Sequence, residues 1–195
     1  MKLKTYDISL VGMFAALMAI GANITSVAPF LQVAGVPLSM QPFFCILAGL
    51  LIGSRLGALS MIVYALIGIA GAPVFAGFSG GPGVIIGSTG GFILSYIVAA
   101  YVAGRIVERS QNPGLPSFYT ASFAGIVLIY VIGTTYMYAA LNFWMEVEMT
   151  YLGAWGIMSW FIVKDAAFTV LGAVIAPRIY KSVHRGARLG RRSAA

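Results

Sequence analysis

The sequence predicts an all-α integral membrane protein with six transmembrane helices. Of its 195 residues, 60% are hydrophobic and 9% are charged, whereas a soluble domain has roughly 25% charged residues. The mean hydropathy is +0.94, and the apolar residues form separate long runs. A helix needs about 20 mostly apolar residues to cross a bilayer. Residues 1–195 are therefore expected to form a single transmembrane domain, with no room for a soluble one.

Six apolar segments mark the predicted helices in chain order. They are Ile8–Ile24, Pro42–Gly53, Leu56–Gly71, Gly90–Ile106, Ser117–Leu141 and Trp160–Ile179. The first follows two lysines, as in a signal peptide, but no small-residue cleavage site leads into a soluble domain, so we expect an uncleaved span. The second is short, and the Gly-Ser-Arg-Leu-Gly break that begins at Gly53 indicates a tight turn between two antiparallel helices.

Basic residues are confined to one side of the predicted spans. Eleven of the twelve lysines and arginines lie at the termini or in the second and fourth connections. The first, third and fifth connections (27–41, 72–89 and 142–157) are uncharged, glycine-rich or acidic. By the positive-inside rule, both termini are cytoplasmic, with tails at 1–7 and 181–195. A ligand pocket is then expected on the extracellular side, beneath the other three connections.

The basic run that begins at Lys181 indicates a negatively charged partner. Clusters of Lys and Arg beside a span attract anionic lipid headgroups, at about 1 kcal/mol per charge near the surface. We therefore expect membrane lipids, and no nucleic acid, as the partner of this tail.

The pair Lys164-Asp165 lies inside the sixth apolar segment. Ionisable groups within a span are costly and usually face a protein interior or a water-filled cavity, so a functional role is the default hypothesis. A structural ion pair that orients two helices is the alternative. Adjacent helical side chains point about 100° apart, so the two need not pair directly. If the helix begins near Ser159, they lie roughly one and a half turns in, beneath the outer connections.

A glycine-rich stretch between Phe75 and Gly91 is the second candidate site. Glycines such as Gly80, Gly81 and Gly90 let the backbone approach a ligand and expose N–H groups as an anion site. The alternative is that they only permit tight turns. The Gly-Lys-Ser/Thr ending of a nucleotide loop is missing.

Small residues in the first span permit close approach of another helix, either within this chain or in another subunit. They are Gly12, Ala15, Ala16 and Ala19. No catalytic arrangement is apparent, because the one histidine lies in the basic tail and the one cysteine in a span. Neither a nucleophile–base pair nor a metal site can be assembled. We therefore predict no enzyme activity and no cofactor.

Four ordered motifs together resemble the BioY biotin transporters, the biotin-specific substrate-binding components of energy-coupling factor transporters. The motifs are Pro37-Leu-Ser-Met-Gln-Pro-Phe-Phe, Leu47-Ala-Gly-Leu-Leu-Ile-Gly-Ser-Arg-Leu-Gly-Ala-Leu-Ser, Ala70-Gly-Ala-Pro-Val-Phe-Ala-Gly-Phe-Ser-Gly-Gly and Gly87-Ser-Thr-Gly-Gly-Phe. The resemblance covers most of residues 8–180. It implies a six-helix protein of the prokaryotic cell membrane that binds biotin from outside. It also implies a transmembrane coupling subunit, which Ala15 and Ala19 would contact, and two cytosolic ATPase subunits that alone bind ATP.

The resemblance also suggests how biotin is bound. Asp165 can accept from the ureido N–H groups, and Gln41, Ser79 or Thr89 can serve the carbonyl or the carboxylate. Phe75 and Tyr136 can pack on the apolar body. The sequence departs from the family where a lysine is common three residues after the aspartate, since Phe168 stands there and Lys164 is the candidate substitute. Ser88 stands where proline is usual, and Tyr136 stands where the aromatic is often tryptophan.

Three alternatives remain open at this point. The chain can carry another vitamin-sized carboxylate on the same fold, or transport biotin alone as an oligomer without ATPase partners. An intramembrane enzyme acting on lipid is the third, and the absence of a catalytic dyad within the spans speaks against it.

Overall fold

The computed structural model describes residues 3–24, 32–33, 36–37 and 39–192, and the side chains of 32–33, 36–37 and 184–192 are not described. Within these residues the chain is almost entirely helical. The helices are α1 Thr5–Asn23, α2 Gln41–Ile69, α3 Pro82–Ile86, α4 Gly90–Arg109, α5 Leu115–Phe143 and α6 Tyr151–Arg192. Strands β1 Gln32–Val33 and β2 Val36–Pro37 form a small antiparallel hairpin, with Gln32 opposite Pro37. The all-helical prediction is confirmed.

Among the described residues, α1, α2, α4, α5 and the Tyr151–Val183 part of α6 are long and apolar enough to cross a membrane. Helix α2 is interrupted at Gly53, where φ is +85° and ψ is 174°. Such a positive φ costs glycine little, because it has no Cβ. The Gln41 amide donates to the Tyr64 hydroxyl at 2.9 Å, which a straight helix could not allow. The parts of α2 before and after Gly53 therefore lie side by side in opposite directions, as the predicted turn requires.

Glu108, near the end of α4, caps the turn in α2. Its Oε1 accepts from the Ser54 backbone N–H at 2.8 Å, and its Oε2 accepts from the Ser54 hydroxyl at 2.8 Å. The first N–H groups of a helix have no partner within that helix, and a carboxylate satisfies them well. Glu108 thus joins the end of α4 to the start of the second part of α2.

Small residues bring α2 and α4 close together. A Cβ at Gly49 would overlap the carbonyl of Ala100, and a Cβ at Gly104 would overlap the backbone of Ser54. Ala99, Ala100 and Ala103 are fully buried. Helices in lipid associate mainly through close van der Waals packing, so these residues let the two backbones approach. Helix α2 also packs on α1 and α6, and α5 packs between α4 and α6.

The described basic residues other than Lys164 lie toward one end of the bundle. The Tyr6 hydroxyl at the start of α1 donates to the Val183 carbonyl in the last part of α6 at 3.3 Å. The rings of Phe118 in α5 and Tyr180 in α6 lie 5.6 Å apart. The turn at Gly53 lies against the end of α4 through Glu108. The start of α4 and the end of α5 therefore lie at the opposite end.

The boundaries of α1, α2, α4 and α5 agree with the predicted segments to within three residues. Helix α3 lies in the predicted third connection, and α6 differs from its predicted segment. That helix begins at Tyr151 instead of Trp160 and continues to Arg192. The fifth connection is correspondingly shorter than predicted. The acidic stretch 142–157 was predicted to be a connection, but the Thr150 hydroxyl accepts from the Gly153 N–H at 3.0 Å, which is a helix N-cap. The predicted tail is thus helical over 181–192, while most of the first connection lies outside the described residues.

Candidate functional site

A cavity lies at the end of the bundle opposite the basic residues. Its empty volume is about 880 Å³, including the part that is open to solvent. Helices α2, α4, α5 and α6 form its walls, and residues of the glycine-rich connection form its rim. Most of the lining is apolar or aromatic. The polar side chains are Ser39, Gln41, Tyr64, Ser79, Ser88, Thr89, Tyr96, Tyr130, Lys164 and Asp165.

The two charged residues of α6 pair with each other at the cavity wall. The Lys164 Nζ lies 2.7 Å from Asp165 Oδ1, and it also donates to the Ser39 carbonyl. The flexible lysine side chain bridges the 100° between adjacent positions, so the direct contact that the sequence left open is present. Because an ammonium has three N–H donors, Lys164 keeps one for a ligand. The pair lies about 20 Å along α6 from Tyr151, deeper than a helix start near Ser159 predicts.

Tyr130 of α5 binds the other oxygen of the same carboxylate. Its hydroxyl donates to Asp165 Oδ2 at 2.6 Å, and Asp165 is only 3% exposed. A carboxylate has about four lone-pair sites, so each oxygen of Asp165 can still accept from a ligand. The positive charge of Lys164 balances the negative charge of Asp165. The buried end of the cavity therefore holds a hydrogen-bond acceptor, Asp165, beside a donor, Lys164.

Gln41 and Phe75 are held on the α2 side of the cavity. The Tyr64 hydroxyl accepts from Gln41 and donates to the Val74 carbonyl at 3.1 Å. The rings of Tyr64 and Phe75 meet edge to face, with centroids 5.5 Å apart. Phe75 packs where a Cβ at Gly68 would stand. The Gln41 amide is therefore part of a hydrogen-bond network with Tyr64 and Val74 at the cavity wall.

Asn23, at the end of α1, fixes the connection that follows α2. Its amide Nδ2 donates to the Val74 carbonyl at 3.3 Å, and its Oδ1 accepts from the Phe78 N–H at 2.7 Å. Asn23 is 8% exposed. These bonds attach residues 74–78 to α1, which the sequence did not predict.

Six of the predicted ligand-binding residues line the cavity together. They are Gln41, Phe75, Ser79, Thr89, Lys164 and Asp165. The Ser79 hydroxyl already donates to the Ala76 carbonyl at 2.8 Å. Contact of these side chains with a ligand stays a prediction.

The other four predicted residues lie outside the cavity lining. The Gly81 N–H donates to the Gly68 carbonyl at 2.7 Å, and the Gly90 N–H donates to the Gly87 carbonyl at 3.1 Å. A Cβ at Gly80 would overlap the Ala72 carbonyl. These three glycines therefore serve close turns in the structure. The Tyr136 hydroxyl donates to the Ile85 carbonyl of α3 at 2.7 Å.

The small residues of α1 face different ways. Gly12 and Ala16 are exposed, Ala19 is half-buried, and Ala15 is buried against the rest of the chain. Ala15 thus packs within the molecule, and contact of Gly12, Ala16 and Ala19 with another subunit stays a prediction.

Several lining residues were missed because they look like ordinary span residues. Tyr64, Tyr96 and Tyr130 line the cavity. Their hydroxyls in the middle of apolar segments are visible in the sequence and could have identified them as candidates. Met158 and Phe161 also line the cavity, one to two turns of α6 before the charged pair. Met158 was missed because the helix was predicted to begin after it, whereas α6 begins at Tyr151.

The comparisons with known proteins agree with the architecture. A BioYB protein of Bacillus subtilis (strain 168) is 58% identical over 190 residues, which cover 97% of this chain and 95% of that protein. The biotin transporter BioY of Thermotoga maritima is 33% identical over 172 residues, covering 87% and 93%. A crystal structure at 2.1 Å of the S-component for biotin from an ECF-type ABC transporter superposes with a TM-score of 0.75 and 19% identity, covering 92% and 95%. At that identity, the structural match shows the fold.

The family model described as the BioY family matches residues 1–185. Since this is nearly the whole chain and relatives above 30% identity match over most of their length, the chain belongs to the BioY family.

Proposed function

We propose that this chain is the biotin-binding S component of an ECF-type transporter. The observation that carries the proposal is the buried Lys164–Asp165–Tyr130 cluster in the cavity of a BioY-family protein. Relatives named as biotin transporters support the substrate. The chain is a transporter subunit and not an enzyme.

The topology of the proposal is six spans with both termini in the cytoplasm. The parts of α2 on either side of Gly53 are counted as two spans. The gathering of basic residues at one bundle end supports a cytoplasmic location for that end, which gives the cavity an extracellular opening. The protein is then a multi-pass protein of the prokaryotic cell membrane.

The two charged residues serve one end of biotin, not both. The ureido ring and the carboxylate lie at opposite ends of biotin, whereas Lys164 Nζ and Asp165 Oδ1 are 2.7 Å apart. We assign the buried end of the cavity to the ureido ring. Asp165 accepts from the ureido N–H groups, and Lys164 donates to the ureido carbonyl. The N–H groups and the carbonyl of the buried ureido ring then each have a hydrogen-bond partner.

The carboxylate of biotin is assigned to the rim of the cavity. Ser88 is half-buried and Thr89 is exposed, and both line the cavity. Their hydroxyls can donate to a carboxylate, and water can complete its shell there. The apolar body of biotin then lies along Phe75, Phe92 and Ile129.

The partners in this proposal are a transmembrane coupling subunit and two cytosolic ATPase subunits. The exposed face of α1 with Gly12 and Ala16 supports a helix–helix contact with the coupling subunit. Biotin is the ligand, ATP is bound only by the ATPases, and the chain needs no cofactor of its own. The basic end of α6 faces membrane lipids.

Competition binding tests the substrate. Purified protein in detergent is loaded with labelled biotin, and unlabelled biotin or other vitamin-sized carboxylates are added in excess. The proposal expects displacement by biotin alone. Displacement by another carboxylate at lower concentration than biotin would assign the site to that compound. Uptake of labelled biotin by cells that lack the ATPase subunits would instead favour transport by this chain alone.

A further inference from the structure

Three of the residues that line the cavity are tyrosines, and their hydroxyls differ in their hydrogen bonds. The Tyr64 hydroxyl donates to the Val74 carbonyl. The Tyr130 hydroxyl donates to Asp165. Among the described residues, no group lies within hydrogen-bond distance of the Tyr96 hydroxyl, although Tyr96 is only 4% exposed. The Tyr96 hydroxyl is therefore a buried polar group without a partner in the described part of the protein, which costs free energy until a partner is supplied.

The Tyr96 hydroxyl is open to the cavity. Two other buried hydroxyls, those of Ser122 and Thr134, also lack a partner among the described residues, and their oxygens are fully enclosed by the protein. The Tyr96 oxygen is not enclosed in this way, and the Tyr96 side chain lines the cavity. A ligand in the cavity can therefore reach this hydroxyl.

Tyr96 lies on the α4 wall, at the buried end of the cavity. It follows Gly90, the first residue of α4, by a distance of about 9 Å along the helix axis. Ala100, one turn further on, already packs against Gly49 of α2, so Tyr96 is the innermost α4 residue of the described lining. Tyr96 and Asp165 are close enough to interact electrostatically, although they share no hydrogen bond. The hydroxyl therefore faces the same space as the charged pair.

The backbone of Tyr96 is fixed against α2. The Cys45 thiol donates to the Tyr96 carbonyl at 3.2 Å, and Cys45 is fully buried. Cys45 stands one helical turn after Gln41, which lines the cavity as well. A side chain on a fixed and buried backbone has little freedom left to lose when a ligand binds. The hydroxyl is thus held in place before binding.

The ureido group can accept one more hydrogen bond than Lys164 supplies. Its two N–H groups are assigned to the oxygens of Asp165, and its carbonyl oxygen has two lone pairs. Lys164 has one N–H left for that oxygen, so one lone pair remains. The hydroxyls of Tyr64 and Tyr130 already donate within the protein. Tyr96 therefore carries the unused hydroxyl donor among the tyrosines of the described lining.

We infer that Tyr96 is a ligand-binding residue whose hydroxyl donates to the ureido carbonyl of biotin and selects for an oxygen at that position. The inference rests on the proposed function, which assigns the buried end of the cavity to the ureido ring. A site with a buried donor discriminates against a ligand that cannot pair with it, because the donor is then left without a partner. Tyr96 adds a contact from α4 to those that α6 makes.

Two biotin analogues test which atom the hydroxyl binds. In thiobiotin a sulfur atom, which is a weaker acceptor than oxygen, replaces the ureido oxygen. Desthiobiotin lacks the thioether sulfur and keeps the ureido group. Tyr96→Phe keeps the ring and should weaken the binding of biotin and of desthiobiotin by about tenfold each. The binding of thiobiotin should change by less than about twofold, as measured by competition against labelled biotin.

The other patterns of affinity overturn the inference. An equal loss for all three ligands would mean that the hydroxyl does not act on the ureido oxygen, and no loss would mean that it does not contact the ligand. A loss for biotin and thiobiotin that is absent for desthiobiotin would assign the hydroxyl to the thioether. If the wild type itself binds no biotin, the proposed function fails and this inference fails with it, whereas the other three patterns leave the proposed function standing.

Tyr101→Phe is the matched control on the same helix. Tyr101 is 44% exposed and lies outside the cavity lining, so its affinity for all three ligands should equal that of the wild type. A loss as large as that of Tyr96→Phe would show that any hydroxyl of α4 affects binding, and would overturn the inference.

Thermal unfolding without ligand separates a binding role of Tyr96 from a structural one. Tyr96→Phe removes a hydroxyl that has no partner among the described residues, so the unfolding temperature should stay at or above that of the wild type. Tyr130→Phe removes the hydrogen bond to Asp165 and should lower it. A lower unfolding temperature for Tyr96→Phe would mean that its hydroxyl stabilises the fold through a partner in the protein, and the inference would be overturned.

Discussion

The hydroxyl of Tyr130 in α5 lies 2.6 Å from Oδ2 of Asp165 in α6, and it donates a hydrogen bond to that oxygen. Lys164 engages the other oxygen at 2.7 Å. The buried carboxylate is therefore fixed from two sides before any ligand contacts it. Fixed orientation of polar groups reduces the cost of ordering a site on binding. Tyr130 therefore orients the Asp165 carboxylate, a role that its position in an apolar span does not indicate.

Removal of the Tyr130 hydroxyl is predicted to weaken biotin binding. Tyr130→Phe keeps the ring but deletes a hydrogen bond to a charged group, which is worth about 1.5–3 kcal/mol. A loss of roughly tenfold to a hundredfold in affinity is expected by calorimetric titration. The effect should be much smaller in an Asp165→Asn background, since the two residues act on one interaction. Fully additive losses would contradict the assignment.

Lys164→Ala is predicted to affect biotin and biotinamide equally. Biotinamide carries a neutral amide in place of the carboxylate, and the proposal assigns Lys164 to the ureido end. The ratio of wild-type to variant affinity should therefore be the same for both ligands. A variant that loses affinity only for biotin would show that Lys164 binds the carboxylate, and the orientation of the ligand would have to be reversed.

Glu108→Ala is predicted to destabilise the fold, because it removes the cap of the second part of α2. The loss of a helix cap costs about 0.5–2 kcal/mol, which thermal unfolding in detergent can detect. Arg105→Ala is the matched control. Arg105 contacts Glu108 only at 3.7 Å in an exposed pair, and such pairs contribute about 0–1 kcal/mol. Equal destabilisation by both variants would contradict the capping role.

Gly49→Ala is predicted to destabilise the contact between α2 and α4. The new methyl group would overlap the Ala100 carbonyl, and overpacking of this kind costs about 1–3 kcal/mol. Gly12→Ala adds the same methyl group where nothing lies within 4 Å, so its unfolding temperature should stay at or above that of the wild type. A stable Gly49→Ala protein would mean that the helices can separate without penalty.

The long helices could be predicted from the sequence, because a helix that crosses lipid needs a long apolar run. Gly53 also identified the turn in α2, since a break in an apolar run with glycine at both ends is typical of a tight turn between helices. The start of α6 was predicted wrongly, because the acidic stretch 142–157 was interpreted as a connection. The Thr150 cap that begins the helix is a single side chain in a polar stretch.

The candidate site was predicted in part for a similar reason. A charged pair in a span is a strong signal, so Lys164 and Asp165 were found directly. Their pairing with Tyr130 depends on the rotation of α5 against α6, which no local pattern encodes. Tyr136 was expected in the cavity, but it is outside the cavity lining and its hydroxyl donates to the Ile85 carbonyl of α3. The Tyr136 side chain packs on α4 at Gly91, where a Cβ would overlap it.

Calorimetric titration of biotin into the detergent-purified protein, alongside Asp165→Asn, is the most direct test of the central claim. The substitution keeps the shape of the side chain and removes the charge that Lys164 and Tyr130 surround. Tight binding by the wild type that is lost or weakened at least a hundredfold, or about 2.7 kcal/mol, in Asp165→Asn is the predicted result. No heat from the wild type, together with no competition against labelled biotin, would contradict the account.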